Sequence, residues 1–458
     1  MVTGLVQFFY PDIKREELKK YSLLALTFFF MVGAYWLLRL LKDLFFYNSV
    51  GFPVSLGWHE DAGRLALPYA KMMSPWFVLC MVLIYSKMVD MFEKHKLFYI
   101  LSLFYITSFS IIAAILFASS MYGEAFVGKE VLKNTGYFSY WLTESLGSVF
   151  ISFFWSFTIS STMSEAAKRT FPFIIALGQI GSITGSSLLW LHVDMWVKYG
   201  IAVAGLFGVF FTIRHLIAVI PSEHMKSDKE DKKDKHGMFS GLKLLVTQPY
   251  FMGVLVVSTF YEIVSSIVDY QMKSQAKIAG LDFEWFQGAL GVSINLLTFV
   301  IALLGTSALM RRFGIRVCLL IYPASFACML TGFYLYYSSG LATPTLLVWA
   351  AFSVMLIVKA VSYSVNNPIK DMMYIPTSKD AKFKVKGIVD MLGGRSAKAG
   401  GASISSSLNV PGDVAKSMHN LFFLGSLIGL GIIGVWIMAA LYVGKKNQQL
   451  VKDGEILG

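Results

Sequence analysis

Two neighbouring runs late in the chain carry its densest chemistry: IKDMMYIP at 369–376 and KVKGIVDMLGGRSAKAGG at 384–401. The first carries Lys370, and the second puts Lys384, Lys386, Arg395 and Lys398 on a glycine-rich stretch. Glycine lets backbone approach a ligand closely, and clustered ammonium and guanidinium groups meet a polyphosphate through charge-assisted hydrogen bonds. Each such bond contributes about 1.5–3 kcal/mol. A basic loop leading into a helix is the plainer reading of Lys384 and Lys386. Arg395 and Lys398 lie too far into the following apolar stretch for that reading.

Other ionisable residues sit inside long apolar runs. Arg39, Lys42 and Asp43 lie in LRLLKD at 38–43. Arg39 and Lys42 are three apart and share a helix face, which suits an anion, although Asp43 can instead neutralise Lys42. Glu144, in LTESLGS at 142–148, can pair with a cation, carry a proton, or contact a base or ribose. Glu262 and Asp269 are seven apart and share a face. Lys359 lies in a further apolar run, and Lys71, in PYAK at 68–71, is near a helix end from which a lysine can snorkel to the interface. A charge at membrane depth costs about 2.5–3.5 kcal/mol, so each of these is expected to face a cavity or a partner.

Composition shows why membrane depth is the relevant setting. Of 458 residues, 56% are hydrophobic and 15% charged, with mean hydropathy +0.61, whereas a soluble domain is about 25% charged. One large core cannot absorb the excess, because soluble cores stop growing beyond about 250–300 residues. The 38 Phe, 22 Tyr and 10 Trp suit a chain that meets lipid and its interfaces. A helix needs about 20 mostly apolar residues to cross the hydrocarbon. About twelve stretches qualify, near 22–46, 66–87, 97–119, 138–160, 170–191, 197–220, 248–270, 286–309, 315–337, 342–365, 386–409 and 418–443. The eleventh is the weakest, rich in Gly and Ser and carrying Arg395 and Lys398.

The net charge of +12 is distributed as short basic bursts between apolar runs, which marks a cytoplasmic side and not a nucleic-acid surface. Lys14, Arg15, Lys19 and Lys20 precede the first span, and Lys87, Lys94 and Lys96 follow the second. Lys168 and Arg169, the run KSDKEDKKDKH at 226–236, then Arg311, Arg312 and Arg316 continue the alternation, down to Lys445, Lys446 and Lys452. Both termini are therefore expected to be cytoplasmic. The charged segment 221–243 reads as a linker between two six-helix bundles, 1–220 and 244–458. YSKMVDMFEKHK (85–96) after the second span and LMRRFGIR (309–316) after the eighth form a weak internal echo, and many secondary transporters are built from such repeats. The expected fold is an all-α polytopic membrane protein, similar to the major facilitator type.

The sequence has no GxxxxGK[ST] phosphate loop, no HExxH, no His/Cys cluster with metal-ligand spacing and no GxSxG. Catalytic residues, a metal and a cofactor are accordingly not expected, nor is an enzyme. Cys80, Cys318 and Cys328 read as buried small hydrophobes. The start MVTGLVQFFYPDIKREELKK resembles neither a cleavable signal nor a transit peptide, so a bacterial inner membrane is the expected location.

LRLLKD, PYAK, LTESLGS, EAAKRTFP (165–172), FYEIV (260–264), IKDMMYIP and KVKGIVDMLGGRSAKAGG occur in that order. They resemble the bacterial and plastid nucleotide transporters, the ATP:ADP antiporter family of intracellular bacteria. The resemblance spans nearly the whole chain, with 369–401 its most specific part. It implies exchange of ATP for ADP and phosphate, or import of another nucleotide, without covalent chemistry. It also implies transport roles for Lys42, Glu144, Glu262 and a late lysine, best aligned as Lys398 with Lys386 and Lys370 as rivals. Arg39 and Arg395 complete the expected phosphate-binding set. Two departures stand out. Ser265 and Ser266 replace a Trp-Lys pair common in the family, and AKAGG (397–401) replaces GKSGG. Proton-coupled import of another nucleotide, a dinucleotide or another organic anion therefore stays open, as does a non-transporting membrane scaffold.

Overall fold

The computed structural model describes residues 15–221, 244–304 and 306–457. Lys14 and nearly all of the expected charged linker lie outside the described residues, as do the side chains of Arg15, Arg311, Arg312 and Lys384.

In hydrocarbon no water is available to satisfy backbone N–H and C=O groups, so long apolar segments close their hydrogen bonds internally as helices. Eleven helices among the described residues are long and apolar enough to cross a membrane. They are α1 (Glu17–Tyr47), α2 (Ala62–Val89), α3 (Lys94–Tyr122), α4 (Lys129–Ser160), α5 (Glu165–Trp190), α6 (Met195–Val219), α7 (Pro249–Ile278), α8 (Phe283–Ile301), α9 (Gly314–Ser338), α10 (Pro344–Met372) and, last in the chain, α12 (Val414–Asp453). Between α10 and α12 the weak stretch is also helical. Lys379–Ile388 and Gly394–Leu408 are joined by a π turn at Val389–Gly393 and together form α11. Its glycines, serines and charges keep it below the hydropathy of the other eleven. Leu103, Phe104 and Ile111 of α3, with Val435 and Met438 of α12, turn outward, as expected of side chains that meet lipid tails.

The chain divides into two compact units. The first comprises Met1–Gly63, Trp76–Lys233 and Gln287–Asn295; the second comprises Arg64–Pro75, Asp234–Phe286 and Leu296–Gly458. In the first unit α1 lies against α5 and α6. The approach is close enough that a Cβ on Gly185 would stand 2.1 Å from the carbonyl oxygen of Gly33, so only glycine is tolerated there. In the second unit α7 packs on α11, α12 and α10. A Cβ on Gly401 would fall 2.4 Å from the carbonyl oxygen of Ile263, which fixes α11 tightly against α7.

Among the described residues four helices contain a π turn, a feature concentrated at functional sites. Besides that of α11, the turns are Leu146–Phe150 in α4, Ser362–Asn366 in α10 and Leu421–Gly425 in α12. The α4 and α10 turns follow closely on Glu144 and Lys359. Glu144 lies fifteen residues after Lys129, the first residue of its helix, and Lys359 lies fifteen after Pro344.

Candidate functional site

In the first unit α1 and α4 bring Lys42 and Glu144 together. The ammonium donates to the carboxylate, and both side chains are 5% exposed. The same ammonium stands 3.8 Å from the centre of the Tyr140 ring, one turn before Glu144. A buried pair is stable only when geometry and further polar contacts offset the desolvation of both ions, and the aromatic face supplies one such contact. Lys42 is thus paired across helices with Glu144. Arg39 shares the Lys42 side of α1 but lays its guanidinium 4.7 Å from the Trp36 ring. Around the pair, Ser148 donates to the Glu144 carbonyl at 3.0 Å, and Tyr105 and Ser145 share a hydrogen bond of 3.1 Å. These contacts hold α4 at the start of its π turn.

The second unit contains a cavity of about 420 Å3 built by three helices. From α7 come Ser258, Tyr261 and Glu262, which share a face by their three- and four-residue spacing. The end of α10, just past its π turn, supplies Asn367, Lys370 and Asp371. From α11 come Lys386, Val389, Asp390, Gly394, Arg395 and Lys398, on both sides of that helix's π turn. Among the described residues four cations and three carboxylates thus line one space. Glu262 has Lys359 at 3.5 Å, and Asp371 has Lys386 at 2.5 Å. Lys370 lies over the Tyr261 ring at 4.1 Å. The Ser258 side chain is buried, and among the described residues its hydroxyl has no hydrogen-bond partner. Ser266 donates to the backbone carbonyl of Lys398 at 3.3 Å, fixing the α11 turn that carries this lysine.

Several expected residues come together here: Glu262, Arg395 and Lys398 with the secondary candidates Lys370 and Lys386. Lys359 joins them through Glu262. Asp269 shares a face of α7 with Glu262 but belongs to a separate cluster, where its carboxylate bridges Lys71 at 3.0 Å and Lys273 at 2.9 Å. Lys71 is thus held in an ion pair and does not snorkel. Sequence reasoning passed over Lys273, Asp371, Asp390 and Tyr261. Lys273 is four residues from Asp269 on one helix, a spacing that could have revealed it. Asp371 and Asp390 stand inside the two runs that drew attention for their cations.

A helical, multiply charged cavity of this kind is chemically suited to an anionic solute with several oxygens, and its three carboxylates to balancing that charge or holding a proton. Comparison with known proteins narrows the class. The family described as TLC ATP/ADP transporter matches residues 1–447. The chain belongs to that family. Among members of the TLC family, it is 25% identical to ADP,ATP carrier protein 1 of Chlamydia pneumoniae, over 99% of this chain and 96% of the relative. It is also 25% identical to ADP,ATP carrier protein 1 of Rickettsia prowazekii, with 97% and 96% covered. The chloroplastic ADP,ATP carrier protein 2 of Arabidopsis thaliana is 24% identical, with 97% and 77% covered.

Solved structures agree on the fold. A bacterial homologue of the iron transporter ferroportin aligns with TM-score 0.65 at 12% identity, covering 94% of this chain and all of that one. A D-xylose-proton symporter aligns at 0.63 and 11%, covering 92% and 96%. A mutant of the nucleoside transporter NupG aligns at 0.59 and 13%, covering 93% and 99%. The TLC-family chain is thus a multi-pass membrane protein, helical in its described spans, with a fold like that of these solved transporters.

Proposed function

We propose that this protein is a secondary transporter that exchanges ATP for ADP across a bacterial inner membrane, alternating access to the two sides without covalent chemistry. Two six-helix halves, 1–220 and 244–458, would be joined by the linker 221–243, with both termini cytoplasmic as the basic loops suggest. The observation that carries the reading is the cavity in which Lys370 of α10 meets Lys386, Arg395 and Lys398 of α11, a glycine-rich helix interrupted by a π turn. Those four cations would hold phosphates, and Glu262 would balance their charge before substrate arrives. Lys42, Glu144 and Arg39 would serve from the first unit. Exchange of ATP for ADP moves about one net charge, worth about 2.3 kcal/mol per 100 mV, so membrane potential would bias its direction.

The test is uptake of labelled ATP by intact bacterial cells expressing the chain, with and without a proton uncoupler, against unlabelled ADP, other nucleoside triphosphates and NAD. Uptake blocked by excess ADP and indifferent to the uncoupler is the expected result. Absence of ATP uptake above empty cells would reject the reading. Glu262, Asp371 and Asp390 in one cavity favour a second reading, proton-coupled import of another nucleotide. Uptake abolished by the uncoupler and not promoted by internal ADP would select it.

A further inference from the structure

Helix α2 begins with a stretch, Arg64–Pro75, that packs in the second unit, while the helix from Trp76 onward belongs to the first. Two prolines, Pro68 and Pro75, fall in that stretch. Each lacks an N–H, so each leaves the carbonyl four residues earlier without its helical donor. Those carbonyls are Arg64 and Lys71, and both are met by side chains. The Tyr270 hydroxyl donates to the Arg64 carbonyl at 3.1 Å, and the Ser74 hydroxyl donates to the Lys71 carbonyl at 2.9 Å. The stretch is therefore a locally weakened helix whose orientation depends on side-chain ties. Its first end is tied by neutral or singly charged bonds, Arg64 Nη1 to Asn409 Oδ1 at 2.7 Å and Asn409 Nδ2 to the Tyr270 hydroxyl at 3.0 Å.

Its second tie is ionic. One oxygen of Asp269 takes Lys71 at 3.0 Å and the other takes Lys273 at 2.9 Å. The side chains of Lys71, Lys273 and Asp269 are 8%, 9% and 18% exposed, respectively. A carboxylate that offers one oxygen to each of two lysines has the charge and donor demand of a phosphate group in the same place. We propose that Asp269 holds the position of a substrate phosphate between Lys71 and Lys273, and that a nucleotide's phosphate chain displaces it and releases the stretch Arg64–Pro75. Lys71 and Lys273 are then a second phosphate-recognition point, separate from the cavity at Glu262. The inference rests on the nucleotide-transport reading for its ligand but not for its geometry.

The experiment uses the purified full chain with Cys80, Cys318 and Cys328 replaced by serine and a reporter at Ala70→Cys, a fully buried position within the stretch. The rate of reaction with a fluorescent maleimide is measured alone and with ATP or inorganic pyrophosphate. Either probe is expected to raise the rate about tenfold, the loss of one charge-assisted tie. Asp269→Asn is expected to react at the raised rate without any probe, and Asp269→Glu to restore slow, probe-responsive labelling. Should Asp269→Asn fail to fold, Lys71→Gln carries the same expectation. A parent rate unmoved by both probes, or an Asp269→Asn rate equal to the parent's, overturns the proposal. ATP uptake by cells with unresponsive labelling would reject this inference alone. Responsive labelling without uptake would support it and reject the exchange reading.

Discussion

The ammonium of Lys359 lies 3.5 Å from a carboxylate oxygen of Glu262, and the pair reverses the polarity of the Lys42–Glu144 pair in the other unit. In the first unit the cation is on the first span and the acid on the fourth. In the second the acid is on the seventh and the cation on the tenth. Both fourth- and tenth-span members precede a π turn by a few residues. Equivalent helices thus meet through opposite charges in both units, with the signs exchanged.

Removing one member of such a pair strands the other charge in a dry site, at about 3–5 kcal/mol. Glu262→Gln and Lys359→Gln should each lower the thermal unfolding temperature and abolish most transport. The combined variant should be more stable than the sum of the single effects requires, with a coupling of about 0.5–3 kcal/mol. A double-mutant cycle by thermal unfolding checks this, and strictly additive effects would mean that the pair is not coupled.

The same cycle on Lys42→Gln and Glu144→Gln should give the larger coupling of the two. Lys42 makes a direct hydrogen bond and also stands over Tyr140, whereas Lys359 is at the long limit for direct contact with Glu262. Tyr140→Leu should reduce the Lys42–Glu144 coupling without abolishing it, by the roughly 0.5–2 kcal/mol of a cation–π contact. An equal coupling in the presence and absence of the ring would remove Tyr140 from the account.

Within the cavity, the cations are not equivalent. Arg395→Gln and Lys370→Gln should each weaken ATP competition by about tenfold or more, the worth of one charge-assisted bond. Lys386→Gln should cost less, because Lys386 is 32% exposed and solvent screens its charge. The ordering is measured by displacement of labelled ATP. A larger loss at Lys386 than at Arg395 would contradict it.

Gly401→Ala should destabilise the second unit and slow transport together, since its Cβ would meet the Ile263 carbonyl at 2.4 Å. Overpacking of this kind costs about 1–3 kcal/mol. Unchanged thermal unfolding would show that α11 can move away from α7 at little cost, and the cavity wall with it.

The span count and the weak eleventh span were legible because a bilayer imposes length and apolarity on every lipid-facing helix. The low hydropathy of α11 has in part the same cause as its usefulness: Lys386, Asp390, Arg395 and Lys398 face a cavity, where lipid makes no demand. Partnerships were less legible. Lys42 pairs with Glu144 on another helix, 102 residues away in sequence, a meeting that spacing along one helix does not state. The Trp36 contact of Arg39 is a three-residue spacing on one helix and was within reach of sequence reasoning. The ties of Arg64 to Asn409 and Tyr270 depend on which helices pack together, which one sequence does not state.

Each π turn also has an arithmetic consequence. It holds one residue more than an α turn, and a residue advances an α-helix by about 100°. Everything beyond the turn in α4, α10, α11 and α12 is therefore rotated by roughly that angle from where an uninterrupted helical wheel would place it. Deleting one residue from Leu146–Phe150 would heal the helix and swing Phe153, Phe154 and Phe157, all buried now, toward the surface. Four separate single-residue insertions, invisible to hydropathy, thus decide which side of each span is shown to lipid and which to its neighbours.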